Sequence, residues 1–250
     1  MEWKHKCSLD WLRERQKYLT ATDIKSLLPV TKTGRPRKIT DMDRLKVFAK
    51  KRVELTEEDC WSYGAAARGH LLEPYAIDAL NDFLIEMGYS TRQKFFHWDD
   101  EVIHVTGSPL AFSPDAMDIP QLHNRNAIAR EIAEVKSYAP DKHMLTGFTP
   151  KEELEEKWQI ATAMATLDSI EKAYLVLFNP SMKLNRLFVI EYYRDDLLGE
   201  IETVRKIADE WTDFLFRQMK LPVGTAIYTS TLNEANIIDQ LERAQRMNPV

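Results

Sequence analysis

The chain has 250 residues, 44% hydrophobic and 29% charged, the balance of a soluble globular protein near the upper size for one hydrophobic core. No stretch reaches the ~18 consecutive apolar residues of a membrane-spanning helix, and the start lacks the apolar centre of a secretory leader, so a cytoplasmic protein is expected. The net charge of −5 hides a split: residues 1–52 carry 15 Lys and Arg against 6 Asp and Glu, and the rest is acidic, so the N-terminal region alone is suited to meeting phosphate.

On charge alone, the solvated-surface reading of that basic region comes first. It opens with two short helices, Leu9 to Lys17 and a second running to Leu28, for which Thr20-Ala-Thr-Asp23 supplies the N-cap. Pro29 ends the second. A basic loop, Thr31-Lys-Thr-Gly-Arg35-Pro-Arg37-Lys38, precedes a helix over residues 41–53. Cys7 and Cys60 are the only cysteines. Two so distant in the chain make neither a disulfide framework nor a zinc or iron–sulfur set.

From Leu71 to Met87 the apolar stripe Leu72, Tyr75, Ala76, Leu80, Phe83, Leu84 and Met87 predicts a helix closed by Gly88. Phe95–Trp98 and Val102–Val105 read as strands joined at Asp99-Asp100, with the aromatics as packing residues. Gly107 to Met117 is broken and extended with a strand-like centre. Residues 120–130 read as a polar turn or insertion. Glu131–Ser137 reads as a strand, and residues 150–167 as a helix opening at Thr149-Pro150. Tyr174–Phe178 and Leu187–Tyr193 read as neighbouring strands. Residues 195–219 form a long amphipathic helix, and a last helix is expected over Leu232–Met247. The order predicts one α/β domain with a mixed central β-sheet flanked by helices.

Chemistry concentrates at Asp115, Glu134 and Lys136. Residues i and i+2 of a strand share a face, so Glu134 and Lys136 point together while Val135 packs on the other side. Burying an unpaired carboxylate is costly, and a divalent cation removes the cost. Two carboxylates suit magnesium, a hard cation that prefers oxygen ligands. A Glu-Val-Lys tripeptide alone is also a plain ion pair on an open strand face. His97, His104, His123 and His143 lack the spacing of a zinc hydrolase, and no ATP-binding Walker pattern is present.

Four stretches in order resemble the phage lambda exonuclease (YqaJ-type) family of viral recombination nucleases, in the PD-(D/E)xK superfamily. They are Trp11-Leu-Arg-Glu-Arg15 with Leu19-Thr-Ala-Thr-Asp23, Gly69-His-Leu-Leu-Glu73-Pro, Ser113-Pro-Asp115, and Glu134-Val-Lys136. Trp158-Gln159 and Phe178-Asn-Pro180 extend the resemblance to about residues 11–182.

The resemblance implies a PD-(D/E)xK core over residues 1–220, with 1–60 as its basic helical region and 221–250 as an extension. It implies metal ligands at Glu73, Asp115, Glu134 and the Val135 carbonyl, Lys136 as catalytic lysine, and Gln159 beside the site. Arg15, with Thr20 and Thr22, would hold a 5′-phosphate, Arg13 being a competitor, and Arg35 and Arg37 would contact DNA. Ala116 stands where the family usually has Gly, so a turn after Asp115 must be made differently. The implied activity is a magnesium-dependent (manganese as substitute) 5′→3′ exonuclease on duplex ends, free of ATP and iron–sulfur clusters. The product would be 3′ overhangs for recombination in a phage-infected or lysogenic bacterium. A trimeric ring and a single-strand annealing partner are implied too. A restriction-type endonuclease, a RecB-like nuclease and a DNA-binding module with a decayed site are the alternatives.

Overall fold

The computed structural model describes residues 4–30, 35–98, 101–119 and 129–219. The expected C-terminal helix, His123 and most of the insertion after Asp115 lie outside them.

The central layer is a five-stranded sheet in the order β3(Phe96–His97), β6(Ala116–Met117), β7(Glu131–Lys136), β8(Lys172–Phe178), β9(Leu187–Tyr193). All neighbours are antiparallel except β7 and β8, which are parallel. A parallel pair needs a crossover. Here it runs through α5(Pro140–Phe148), a 3₁₀ turn and α6(Lys157–Thr166). The mixed sheet between helices is the architecture expected from the order of elements.

Alternation along the strands divides the core. Ile132, Ala173, Leu175 and Leu177 pack with Ile160 and Met164 of α6 and with Val204, Trp211 and Phe214 of α7(Leu198–Met219). Ala133, Val135, Tyr174 and Val176 pack on Ala76, Ile77, Leu80 and Leu84 of α4(Gly64–Glu86). With both faces covered, β8 reads as an unbroken apolar run.

The N-terminal helices each open on a side-chain cap, that of α2 at the Thr20 expected. Ser8 accepts from the Trp11 N–H to open α1(Leu9–Gln16), and a Thr20–Asp23 capping box opens α2(Ala21–Ser26). Thr40 and Asp43 do the same for α3(Asp41–Lys50).

Several expectations need correction. α4 starts at Gly64, about two turns before Leu71. Its buried face takes Ala67 and Ile77 and leaves Tyr75 and Met87 exposed. The segment Phe95–Trp98 does not pair with 102–105: β3 joins β6, whereas β4(Ile103–His104) joins β5(Ala111–Phe112). Buried Asn81 fixes the entry to β3, donating to the Phe95 carbonyl at 2.9 Å and accepting from the Phe95 N–H at 2.8 Å. The helix expected over 150–167 starts at Lys157, and α5 precedes it. A short antiparallel pair, β1(Lys4–Lys6) with β2(Trp61–Tyr63), adds to the strands expected from the sequence. Finally, no turn follows Asp115. Ala116 is fully buried in β6, between His97 and Ala133, where a small side chain fits.

Candidate active site

One cavity of about 420 Å³ is lined by Glu73, Asp115, Glu134, Val135, Lys136, Gln159 and Arg15, together with His5, Trp11, His70, His97, Trp98, Ser113 and Pro114. Every residue expected at the metal site is therefore at one place. They arrive from β7, the bend before β6, α4, α6 and α1.

On β7, Glu134 and Lys136 share the face turned to α6. Glu134 is 5% exposed, and its Oε1 accepts from both Lys136 Nζ and Gln159 Nε2. Gln159 stands in the first turn of α6, which presents its amide to the strand. Asp115 approaches from the bend that opens the adjacent strand, β6, and its Oδ2 accepts the Val135 N–H at 2.6 Å. Burial first, then Glu134 and Glu73, push the Asp115 carboxyl well above the ordinary carboxylate range. Lys136 shows the complement. Burial disfavours its charge, but Glu134 and Asp115 outweigh that and raise it.

Glu73 belongs to the buried face of α4, one turn before Ala76 and Ile77. His70 Nδ1 lies 2.9 Å from Glu73 Oε1, and His97 Nε2 lies 3.7 Å from Oε2. Burial would raise the Glu73 carboxyl, but the histidine contacts win and hold it at about 2. His5 stacks on His70 with ring centroids 4.6 Å apart. Sequence reading missed this histidine group, because positions 5, 70 and 97 share no local spacing. Of the other histidines, His104 stacks on Tyr18 and His143 is buried against Phe188.

Among the described residues, no three His, Cys, Asp or Glu side chains converge tightly enough to coordinate an ion as they stand. Each carboxylate is held instead by a protein donor: Asp115 by a backbone N–H, Glu134 by Lys136 and Gln159, Glu73 by His70.

A smaller recess of about 70 Å³ shares Arg15, Ser113, Pro114, Glu134 and Gln159 with this cavity and adds Thr20, Thr22 and Lys25. The Arg15 guanidinium lies over the Trp11 ring at 4.4 Å, and the Trp11 indole donates to Ser113 Oγ at 3.0 Å. Burial lowers the Arg15 pKa, against the pull of Asp23 and Glu134. Arg13 is exposed and sits 3.6 Å from Asp10, so the structure brings Arg15, and not its competitor, to the cavity. The Thr20 hydroxyl is spent on Asp23 at 2.9 Å, whereas Thr22 is exposed at the recess. Lys25 was not singled out from sequence; burial lowers its amine, opposed first by Glu156.

Arg35 and Arg37 do not line the cavity. Arg35 is exposed, and Arg37 pairs with Asp43 at 3.0 Å and donates to the Ser26 carbonyl at 3.2 Å. Fully buried Asn179 has a structural task, donating to the Tyr138 carbonyl at 2.9 Å just beyond β7. Among the described residues no helix is long and apolar enough to cross a membrane.

No protein-family model and no curated protein matches the chain. Among solved structures, the fold matches an alkaline exonuclease, LHK-Exo, from Laribacter hongkongensis. The TM-score is 0.56 at 18% identity, over 85% of this chain and 97% of that one. The structure of LHK-Exo in complex with dAMP matches at TM-score 0.53 and 19% identity, with the same coverage of both chains. At this identity the likeness is one of fold.

Proposed function

We propose that the chain is a metal-dependent DNA exonuclease of the lambda exonuclease type. The observation that carries the reading is the convergence of Glu73, Asp115, Glu134, Lys136 and Gln159, from three separate elements and a bend, on one cavity. The same fold is found in a solved exonuclease, one of whose structures holds dAMP.

The donor set fits a hard divalent cation. Three carboxylates face the cavity, and burial first, then their mutual repulsion, raises the Asp115 carboxyl. Magnesium, or manganese in its place, would be held by Glu73, Asp115, Glu134 and the Val135 carbonyl. When bound, it would polarise a phosphodiester and lower the pKa of an attacking water. Lys136, kept charged by its neighbours, stabilises negative charge developing on the phosphate. Gln159 fixes the rotamer of Glu134. Arg15 and Lys25, with the exposed hydroxyl of Thr22, would hold a terminal 5′-phosphate in the adjoining recess.

On this reading digestion runs 5′→3′ and leaves 3′ single strands for annealing-type recombination. The basic N-terminal region, with Arg35 and Arg37, would track the duplex in a trimeric ring, and a single-strand annealing protein would take the product. The test is digestion of end-labelled linear duplex with magnesium, comparing 5′-phosphate ends, 5′-hydroxyl ends and closed circles. Mononucleotide release from 5′-phosphorylated ends with circles intact is the expected result. Cleavage of closed circles would move the chain to the endonuclease alternatives, and intact linear duplex at low salt would indicate a binding module.

A further inference from the structure

The chain's two cysteines, 53 positions apart, are cross-strand neighbours. The β1–β2 register sets Lys6 opposite Trp61, and one step further sets Cys7 opposite Cys60. The Cys7 N–H donates to the Cys60 carbonyl at 3.0 Å, and Cys7 Sγ lies 3.3 Å from the same oxygen. Hydrogen-bonded antiparallel neighbours have Cα atoms ~5.5 Å apart. That falls inside the ~4.4–6.8 Å a disulfide spans. Both residues are thiols here, Cys60 1% exposed and Cys7 partly exposed.

The pair stands at the root of two cavity walls. Cys7 directly precedes Ser8, the cap of the helix that carries Trp11 and Arg15. Cys60 directly precedes β2, which runs into α4 and so to His70 and Glu73. His5, two residues before Cys7, bridges the walls by stacking on His70.

We propose that Cys7 and Cys60 form a reversible disulfide that fastens α1 to the start of α4. The oxidant is a low-molecular-weight disulfide such as glutathione disulfide. The Cys7 thiol gives its proton to solvent, and the thiolate attacks one glutathione sulfur. The S–S bond breaks and one glutathione thiolate leaves. The Cys60 thiolate, its proton also lost to solvent, attacks Cys7 Sγ of the mixed disulfide and expels the second glutathione. Two protein thiols are oxidised to one disulfide, and one glutathione disulfide is reduced to two glutathiones. In a reducing compartment such a bond is transient and regulatory.

The test treats the full chain with glutathione disulfide, maps its peptides after alkylation, and follows amide hydrogen exchange over residues 9–16. The expected result is a Cys7–Cys60 cross-linked peptide and exchange in α1 slowed about tenfold or more. The unfolding temperature should rise by roughly 5–10 °C, since the closed loop is long. Dithiothreitol should reverse all three, and Cys7→Ser should show none. A glutathione adduct on Cys7 without the cross-link would overturn the proposal. So would no reaction, or a cross-link that leaves α1 exchange unchanged.

Discussion

The Val135 N–H donates to Asp115 Oδ2, so one carboxylate of the site is held by the strand whose flanking side chains, Glu134 and Lys136, complete it. Asp115→Asn keeps an acceptor for that N–H and removes the charge. The Asp115 carboxyl is raised, so the folded protein binds its proton more tightly than the unfolded chain does. Metal-free stability therefore falls as pH rises from the ordinary carboxylate range through the raised value, and above the ordinary carboxylate range the buried group costs stability. The substitution is expected to abolish cleavage while raising the metal-free unfolding temperature by roughly 2–4 °C. Magnesium should raise the unfolding temperature of the parent and not of the variant. Calorimetry with and without magnesium checks both, and a lowered unfolding temperature contradicts the account.

Lys136→Ala should slow cleavage of linear duplex by about 10²–10⁴-fold, the range for a group that stabilises transition-state charge or moves a proton. Duplex binding should change little, because Lys136 Nζ is engaged by Glu134 and is not among the residues proposed to hold the DNA end. Single-turnover rates alongside fluorescence anisotropy separate the two. Undiminished cleavage would remove Lys136 from the mechanism.

Arg15→Ala should erase the preference for 5′-phosphorylated over 5′-hydroxyl ends, and Arg15→Lys should restore only part of it, since lysine cannot grip a phosphate by two bonds. Arg13→Ala is the paired control, because Arg13 faces solvent beside Asp10. Competition between the two end types in one reaction gives the ratio directly. An Arg13 effect larger than the Arg15 effect would reverse the assignment.

His70→Ala should raise the magnesium concentration for half-maximal cleavage by about 10–100-fold, the usual effect of losing a partner that orients a ligand. The saturated rate should be less affected, and manganese titration by electron paramagnetic resonance should show the same weakening without any turnover. His70→Gln, which can still donate to Glu73, should recover part of the affinity. Equal metal affinity in all three proteins would leave the His70–Glu73 contact without a role in binding.

Gly147→Ala tests the packing of α5 on β9. A Cβ at this position would lie 2.6–2.7 Å from the Phe188 ring, so the ring must move. Phe188 is itself flanked by His143 and Phe148, which limits its escape. Overpacking of this kind costs about 1–3 kcal/mol. Denaturant unfolding should show that loss with an unchanged m-value.

The sequence showed most clearly those features that depend on short-range periodicity. Once Glu131–Lys136 is read as a strand, the i, i+2 rule puts Glu134 and Lys136 on one face without knowledge of the fold. The capping residues Thr20 and Asp23 placed α2 correctly. The stripe on α4 was misread at Tyr75 and Met87 because the helix starts earlier and its buried line runs through Ala67 and Ile77. α5 stayed hidden because it opens on Pro140, contains Gly147, and buries His143 and Thr146, polar residues that mimic a loop. His5, His70 and His97, like Cys7 and Cys60, became neighbours only through tertiary pairing, which leaves no mark on local spacing.

The two-sided burial of β7 bears on how such a chain drifts in evolution. Ala133 and Val135 meet α4, where other apolar side chains of fitting volume would serve nearly as well. Glu134 and Lys136, on the opposite side, have no chemical equivalents for the task proposed. Substitution can accumulate at every second position while the backbone path is kept. A lineage under that constraint retains scattered pairs and triplets of letters amid changing text. The chain is 18% identical to a solved exonuclease where the two match, and it follows that fold over 85% of its length.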